Sequence, residues 1–283
     1  MKVGLLANPH KPGSLPTLRA LCDALERRGI KWVLDPQAAA LAGGPGVAAE
    51  DFCREVDVAV ALGGDGTMLH AMESLGHFDK PIAGINVGRL GFLTTCTDRE
   101  LEEFAEALAS GGYSTSKRTL LAVCLCRATG EQLRFTALNE VTLARGATGR
   151  LVSLCARVND EILNQYRADG LIVATPTGST AYSLSAGGPL ISPDAGVFLI
   201  TPICPHSLSQ RALVLSDGSE IELSSDDDDC GPMLFTVDGR ESLWIKQGDR
   251  ICVRKSERSF HLLRLDGGSF YEALRQKLGW QGV

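Results

Sequence analysis

The sequence predicts an N-terminal doubly wound α/β region followed by a β-rich region. Short apolar strands alternate with helical patterns over the first third of the chain, and β-strand patterns separated by turns follow from about Lys117. With 283 residues, 44% of them hydrophobic, the chain can bury two cores. We therefore predict an α/β domain over residues 1–110 and a β-rich domain over 111–265. A helical tail over 266–283 is expected to return to the first domain.

The first region is predicted from apolar runs that alternate with helical spacing. A helix is expected after the first strand because Leu18, Leu21 and Leu25 share one face before Gly29 stops it. The Gly/Ala-rich residues 38–49 are expected to form a loop. The strands predicted here are residues 2–7, 30–34, 56–62 and 81–86.

A capping box predicts the last helix of the first region. Thr97 and Glu100 stand three residues apart ahead of an apolar periodic stretch, which Gly111 and Gly112 close. The acidic run Asp226–Asp229 is expected to form a solvated hairpin tip, because its spacing does not fit a calcium loop. The strands predicted in the β-rich region are residues 120–127, 133–144, 151–158, 171–174, 197–201, 212–215, 220–224, 234–237 and 251–254.

Composition limits the partners and the compartment. The formal net charge of -6 and the pI near 5.4 provide no broad basic surface, so neither nucleic acid nor an anionic membrane is expected as a partner. Nine cysteines without a Cys-x-x-Cys pair are expected to be buried free thiols in a reducing compartment. We therefore expect a cytoplasmic protein.

The first candidate site is Gly63-Gly64-Asp65-Gly66-Thr67, directly after an apolar strand. Glycines let the backbone turn tightly and approach a ligand, and the carboxyl end of such a strand is where α/β sheets bind ligands. With a helix expected from Thr67, the pattern favours phosphate chemistry beside one carboxylate. Leu69 replaces the third glycine of a dinucleotide fingerprint, and no P-loop ending occurs. The alternative is a structural turn with Asp65 as a solvated or capping residue.

The second candidate site follows the strand at 171–174, where residues 175–183 are rich in Thr, Ser and Gly. Backbone amides and hydroxyls in such a turn can bind a purine, a ribose and phosphate oxygens. Tyr182 adds a flat apolar face. A Ser/Thr-rich surface loop is the alternative interpretation.

Several motifs together show a family resemblance that runs nearly end to end. They are Gly63–Thr67, Gly84–Gly88 with Leu90–Thr94, Asn139-Glu140, Asp169-Gly170 with Thr175–Tyr182, Pro205–Ser209 and Lys277–Trp280. In this combination the chain resembles bacterial NAD kinases. The first motif alone is shared with diacylglycerol and sphingolipid kinases. The resemblance implies a Rossmann-like three-layer α/β domain and a β-sandwich-like, NAD-binding C-terminal domain.

The resemblance also implies a reaction. In this family the γ-phosphoryl group of ATP moves to the 2′-hydroxyl of the adenosine ribose of NAD, giving NADP. Asp65 matches the proton acceptor for that hydroxyl, and Mg²⁺ is expected to arrive with ATP. Inorganic polyphosphate stays open as an alternative donor.

The same resemblance assigns the dinucleotide contacts. Gly66 would allow close backbone approach, Asn139 and Glu140 match the pair that contacts the adenosine half, and Asp169 matches the residue that reaches the nicotinamide amide. In the family that last contact can come from a neighbouring subunit, so a homodimer or homotetramer is expected. The residues assigned to the lining of the dinucleotide site are Thr177, Thr180, Ala181, Tyr182, Ser183 and Ser185.

Three arginines, Arg150, Arg167 and Arg240, align with variable ligand contacts of the family, and surface roles are the alternative for each. Arg240 stands where the family more often has glutamine. His206 is expected to have a structural hydrogen-bonding role rather than a catalytic one, and no metal ligands are predicted. The alternatives to an NAD kinase are a lipid kinase and a non-catalytic module that senses NADP.

Overall fold

The computed structural model describes residues 1–88, 91–146, 150–225 and 233–280. It contains two compact units, one formed by Met1–Lys117 with the segment from Phe260 onward, and one formed by Arg118–Ser259. The acidic run Asp226–Asp229 and Leu90 lie outside the described residues. No helix in the described part of the chain has the length and hydropathy needed to span a bilayer.

In chain order the elements are β1 (Lys2–Ala7), α1 (Ser14–Arg27), β2 (Lys31–Leu34), α2 (Pro36–Ala42), α3 (Ala49–Glu55), β3 (Val58–Leu62), α4 (Asp65–Ser74), β4 (Ile82–Asn86), β5 (Cys96–Thr97), α5 (Leu101–Ser110), β6 (Tyr113–Cys126), β7 (Gln132–Ala137), β8 (Glu140–Arg145), β9 (Val152–Val158), β10 (Glu161–Ala168), β11 (Gly170–Ala174), a 3-10 turn (Gly178–Thr180), α6 (Tyr182–Ser185), β12 (Val197–Ile203), β13 (Leu213–Ser216), β14 (Ile221–Ser224), β15 (Met233–Val237), β16 (Glu241–Ile245), β17 (Arg250–Leu265) and α7 (Phe270–Leu278).

The first unit is built on a parallel sheet with strand order β4-β3-β1-β2. β3 and β4 are buried along their whole length, as expected for central strands covered on both faces. Helix α1 contributes Leu18, Leu21 and Leu25 to the core, as their spacing predicted. Because the strands are parallel, β1, β3 and β4 end at the same edge of the sheet, and the chain segments that follow them meet there.

The loop predicted over residues 38–49 is wrong, because this stretch contains the end of α2 and the start of α3. The side chain of Asp35 caps α2 by accepting a hydrogen bond from Ala38 N at 2.8 Å, and Pro36 fits the first turn. Helix α3 buries Phe52 against Gly4, where a Cβ atom would lie 2.2 Å from the ring. Asp35-Pro36 and Gly43 are the local sequence signals for the start and the end of α2.

The helix predicted from the capping box is confirmed as α5. The Glu100 carboxylate accepts hydrogen bonds from the Thr97 amide at 2.7 Å and from the Thr97 hydroxyl at 2.6 Å. Glu100 N donates to the backbone carbonyl of Thr97 rather than to its side chain. The Thr97 hydroxyl therefore donates to the Glu100 carboxylate and does not accept from the Glu100 amide.

The second unit contains a six-stranded antiparallel sheet with the order β13-β12-β11-β8-β15-β16. Strands β10, β9, β14 and the first part of β17 form a second antiparallel ladder. Both contribute to one apolar core, through residues such as Val141 and Phe235 from the first and Leu154 and Ile251 from the second. This is the β-sandwich-like arrangement that the resemblance implied. Strands β10 and β16 were not predicted, because at least half of the residues in each are exposed and neither is apolar along its whole length.

The eight cysteines in the described residues are free thiols. The prediction that they are buried is correct for Cys96 and Cys155 only, since Cys204 is exposed and the others are partly buried. Burial raises the pKa of the Cys22 thiol to about 11, and the carboxylates of Glu26 and Asp23 add to the shift. The Cys22 thiol is therefore held in its protonated form at neutral pH.

Candidate functional site

The Gly63–Thr67 motif forms the turn between β3 and α4, at the carboxyl edge of the parallel sheet. The helix begins at Asp65, two residues earlier than predicted. The Gly64 carbonyl accepts hydrogen bonds from Thr67 N at 2.9 Å and Met68 N at 3.3 Å. A Cβ atom on Gly63 would lie 2.0 Å from the Thr67 hydroxyl oxygen, so only glycine fits the turn there.

The Asp65 carboxylate is held by the loop that follows β4. Its Oδ2 accepts a hydrogen bond from Phe92 N at 3.1 Å, and its Oδ1 accepts one from Leu93 N at 2.9 Å. A Cβ atom on Gly91 would lie 2.1 Å from Oδ1, so this glycine lets the loop close on the carboxylate. Asp65 remains partly exposed. Its orientation is fixed by two backbone amides while the group stays accessible to a ligand.

Sequence reasoning missed the role of the 91–93 loop. Its residues entered only as part of the family motif, and no signal in their spacing relative to Asp65 shows that they meet. The requirement for a residue without a Cβ atom at position 91 becomes apparent only when the Asp65 side chain is placed beside it.

The second unit builds a site around the Asn139-Glu140 pair. The carboxylate of Asp238 accepts hydrogen bonds from three successive amides, those of Leu138 at 2.8 Å, Asn139 at 2.8 Å and Glu140 at 3.0 Å. Asp238 has a φ of 49°, a left-handed conformation that Asp tolerates better than most residues. The side chain of Asp238 therefore determines the backbone path of the pair, a role that the sequence did not reveal.

Glu140 lies in a buried, acidic environment. Burial raises the pKa of its carboxyl to about 8, and the nearby Asp238 carboxylate adds to the shift. Burial also raises the pKa of Asp238, while its three amide donors act in the opposite direction. Glu140 Oε2 is buried and has no hydrogen-bond partner among the described residues. An unpartnered buried carboxyl oxygen is suited to a hydroxyl donor from a ligand.

The Thr/Ser/Gly-rich turn packs directly on this pair. Thr175 N donates to the Asn139 carbonyl at 2.8 Å, and the Thr175 hydroxyl donates to the Leu138 carbonyl at 2.5 Å. A Cβ atom on Gly178 would lie 2.1 Å from the Asn139 carbonyl oxygen, so the contact requires glycine. The structure therefore brings the predicted Asn139-Glu140 pair and the predicted 175–180 turn together in one cluster.

The remaining predicted lining residues differ in their exposure. Thr177 is buried, and its carbonyl accepts a hydrogen bond from the Thr180 hydroxyl at 3.0 Å. Ser183 is fully buried, and its hydroxyl lies 2.8 Å from that of Thr201. The structure assigns Ser183 an internal hydrogen bond. The other members, Ala181, Tyr182 and Ser185, are partly or largely exposed.

Asp169 forms an ion pair that the sequence did not predict. Its Oδ1 lies 2.7 Å from Arg145 Nε, and its carbonyl accepts a hydrogen bond from Arg145 N at 2.9 Å. Both side chains are about one-third exposed. Asp169 is thus held directly before β11, beside Arg145, the last residue of β8.

The three predicted arginines, Arg150, Arg167 and Arg240, are all exposed. The Arg167 carbonyl accepts a hydrogen bond from the backbone N–H of His206 at 2.8 Å. Arg240 follows the Asp238 turn, and its charge lowers the pKa of Asp238 slightly against the effect of burial. Among the described residues, no group of three or more His, Cys, Asp or Glu side chains is placed to hold a metal ion.

The sequence matches two domain profiles of one family. Residues 46–113 match the ATP-NAD kinase N-terminal domain and residues 138–265 match the ATP-NAD kinase C-terminal domain. The NAD kinases of Prosthecochloris aestuarii and Chlorobaculum tepidum are 40% and 42% identical to this chain, over 99% of it and 97% of their own length. The Asp65 turn lies in the first match, and the Asn139-Glu140 pair lies in the second.

Solved structures agree with the sequence matches. The crystal structure of a yeast NADH kinase complexed with NADH superposes with a TM-score of 0.88 and 27% identity, covering all of this chain and 89% of its own. An NAD kinase from Archaeoglobus fulgidus in complex with ATP gives a TM-score of 0.76 and 25% identity, with complete coverage of both chains. The fold, the two carboxylate-bearing motifs and these matches agree. The chain is therefore a member of the ATP-NAD kinase family.

Proposed function

We propose that this protein transfers the γ-phosphoryl group of ATP to the 2′-hydroxyl of the adenosine ribose of NAD, giving NADP. The observation that carries the proposal is the Asp65 carboxylate, fixed by Phe92 N and Leu93 N at the carboxyl edge of the sheet and still accessible. Family membership supplies the substrates, because the matched relatives are NAD kinases and one related structure holds ATP.

Asp65 acts as the general base in this proposal. A ribose hydroxyl is a weak nucleophile at neutral pH, and a carboxylate within hydrogen-bond distance can orient it and accept its proton. Phosphoryl transfer passes through a loose transition state, so alignment contributes more than base strength. The two amides that fix Asp65 supply that alignment.

The Glu140 cluster binds the adenosine half of NAD. The buried Glu140 oxygen without a partner accepts a ribose hydroxyl, and the Asn139 amide suits the edge of the adenine ring. Thr177, Thr180, Ala181, Tyr182 and Ser185 line the dinucleotide, and Gly66 allows its close approach. The proposal gives Ser183 a supporting role through Thr201.

Mg²⁺ enters with the donor, because magnesium in kinases is held largely by phosphate oxygens and water. When bound, the ion neutralises charge on the transferred group. Asp65 is the acidic side chain at the turn where the donor phosphates would lie.

Asp169 binds the nicotinamide amide, and Arg145 orients it. We further propose that this contact crosses between subunits of a homodimer or homotetramer, as the family resemblance implies. Arg150, Arg167 and Arg240 are exposed, and the family resemblance assigns them ligand contacts. The free thiols favour a cytoplasmic location.

The test is NADP formation from NAD, ATP and magnesium by the purified protein. The Asp65→Asn variant should lose about 10²–10⁴-fold in kcat while NAD affinity changes little, because asparagine has nearly the same volume but cannot accept the proton and retains an acceptor for only one of the two amides. Asp23→Asn, an exposed carboxylate on α1, is the matched control and should retain full activity.

Other outcomes would identify a different function. A wild-type protein that binds NADP without turnover would be a sensor, and turnover of a lipid alcohol alone would indicate a lipid kinase. Full activity in Asp65→Asn would remove Asp65 as the general base while leaving the overall reaction intact.

A further inference from the structure

A lysine reaches the Gly63–Thr67 turn from a distant part of the first unit. Lys11 lies in the loop between β1 and α1, and its Nζ donates a hydrogen bond to Asn86 Oδ1 at 2.9 Å. A Cβ atom on Gly64 would lie 3.6 Å from Lys11 Nζ and 3.7 Å from Asn86 Oδ1. The ammonium group is therefore next to the backbone that presents Asp65.

The sheet topology explains why these residues meet. Lys11 follows β1, Gly64 follows β3, and Asn86 is the last residue of β4, which are three neighbouring parallel strands. Their carboxyl ends meet at one edge, so residues separated by 75 positions come into contact. The sequence gives no periodic signal for this contact.

The loop that carries Lys11 is well anchored. Lys11 N donates to the Asn8 carbonyl at 3.3 Å, and the Lys11 carbonyl accepts from Ser14 N at 3.1 Å. Asn8 N in turn donates to the carbonyl of Leu62, the last residue of β3, at 3.3 Å. The position of the ammonium group is therefore set by the same strand that presents the turn.

The charge of Lys11 is not neutralised inside the protein. Asn86 is its one hydrogen-bond partner in the described parts of the chain, where it forms no ion pair, and an ammonium group has three donors. The oxygens of Asp65 are occupied by the Phe92 and Leu93 amides rather than by Lys11. Two donors and a full positive charge are left for a ligand in a chain with a net charge of -6.

We propose that Lys11, positioned by Asn86, binds the terminal phosphates of the phosphoryl donor at the Gly64-Asp65 turn, an inference that rests on the proposed kinase function. A polyphosphate chain carries concentrated negative charge on several oxygens, and lysine binds such groups as a point charge. A Cβ atom on Gly66 would meet nothing within 4 Å, so this side of the turn is open to phosphate oxygens, and the turn leads directly into the N-terminus of α4. Lys11 then holds the donor in line with the hydroxyl that Asp65 activates.

The kinetic test uses Lys11→Met and separates the two substrates. With ATP varied at saturating NAD, kcat/KM for ATP should fall about 10- to 100-fold, because a charged hydrogen bond to the donor is lost. With NAD varied, KM should stay within about twofold of the wild-type value, since the proposal assigns Lys11 to the donor and not to NAD. Lys11→Arg should restore part of the loss. Lys31→Met, at an exposed lysine on β2, should behave as wild type.

Direct binding provides a readout that does not need turnover. By calorimetry, Lys11→Met should bind ATP at least about tenfold more weakly than wild type while AMP, which lacks the terminal phosphates, is bound with unchanged affinity. An ATP affinity that stays within about twofold of wild type, or equal losses for ATP and AMP, would overturn the proposal.

Two controls keep the result interpretable. A thermal unfolding midpoint within about 2 °C of wild type shows that Lys11→Met folds. If Lys11→Met does not fold, Lys11→Gln, which retains a polar contact to Asn86, replaces it in the same measurements. A wild-type protein that makes no NADP contradicts the proposed function, whereas wild-type turnover with an unaffected Lys11→Met contradicts only the role of Lys11.

Discussion

The two candidate carboxylates, Asp65 in the first unit and Glu140 in the second, are supported in opposite ways. Both oxygens of Asp65 accept hydrogen bonds from backbone amides, and the group is partly exposed. Glu140 is buried beside another carboxyl group, and one of its oxygens has no partner among the described residues. The contrast teaches that the first carboxylate is oriented by backbone donors near solvent, whereas the second is buried with an oxygen that the described residues leave unpaired.

The substitution expected to destabilise the Asn139-Glu140 site most is Asp238→Ala. The change leaves three buried amides, of Leu138, Asn139 and Glu140, without their acceptor and places alanine at a φ of 49°. We expect the free energy of unfolding to fall by about 3–5 kcal/mol, measured by chemical denaturation. Asp238→Asn keeps one acceptor oxygen and tolerates the conformation, so it should lose less. Equal stability of Asp238→Ala and wild type would show that the three contacts are not needed.

The titration of Glu140 gives a pH-dependent test. Folding raises the pKa of Glu140 from 4.5 to about 8, so the folded state binds this proton more tightly than the unfolded state. The resulting stabilisation is complete below about pH 4.5 and is lost as the pH rises through about 8. The Glu140→Gln variant lacks this pH-dependent contribution, because glutamine does not titrate.

We therefore expect the unfolding free energy of wild type to fall between about pH 5 and about pH 9 by a few kcal/mol more than that of Glu140→Gln. Denaturation curves of both proteins at matched pH values measure the difference. Parallel pH profiles would mean that Glu140 titrates near its ordinary value.

Gly91→Ala tests the support of Asp65. The added Cβ atom would lie 2.1 Å from Asp65 Oδ1, so the carboxylate must move and its contacts with Phe92 N and Leu93 N must change. A displacement of this size should lower kcat about 10²-fold with little change in NAD affinity. Gly44→Ala is the control, because a Cβ there meets nothing within 4 Å. Normal kcat in Gly91→Ala would show that the geometry of Asp65 is not critical.

Removing the Arg145–Asp169 ion pair should have the smallest effect on the stability of the protein. Both side chains are about one-third exposed, so Arg145→Met should cost less than about 1 kcal/mol in unfolding free energy. In the proposed function the same variant should also raise KM for NAD, because Asp169 loses the partner that orients it. Arg145→Lys should recover part of the effect. Unchanged KM would separate Asp169 from the nicotinamide site.

Local sequence patterns predicted much of the fold where the signal lies within a few residues. The turn after Leu62, the helix behind it and the helix after Glu100 depend on neighbouring residues and were confirmed. The Thr97 hydroxyl does not cap that helix, because the helix begins at Leu101 with Glu100 as its N-cap residue. Asp35 and Gly43 carry a local signal of the same kind, at the two ends of α2. Strand β10 was missed because an exposed strand lacks the apolar run on which the prediction relied.

The sequence by itself determined the family and the fold class, and it singled out Asp65 and Glu140 as the candidate carboxylates. Only the tertiary structure decided what surrounds them: Gly91 beside Asp65, Asp238 beneath Glu140 and Lys11 beside Gly64. The two residues of each pair are separated by 26 to 98 positions in the sequence. Motif spacing records local backbone geometry, whereas the environment of a charge depends on which strands the fold places side by side.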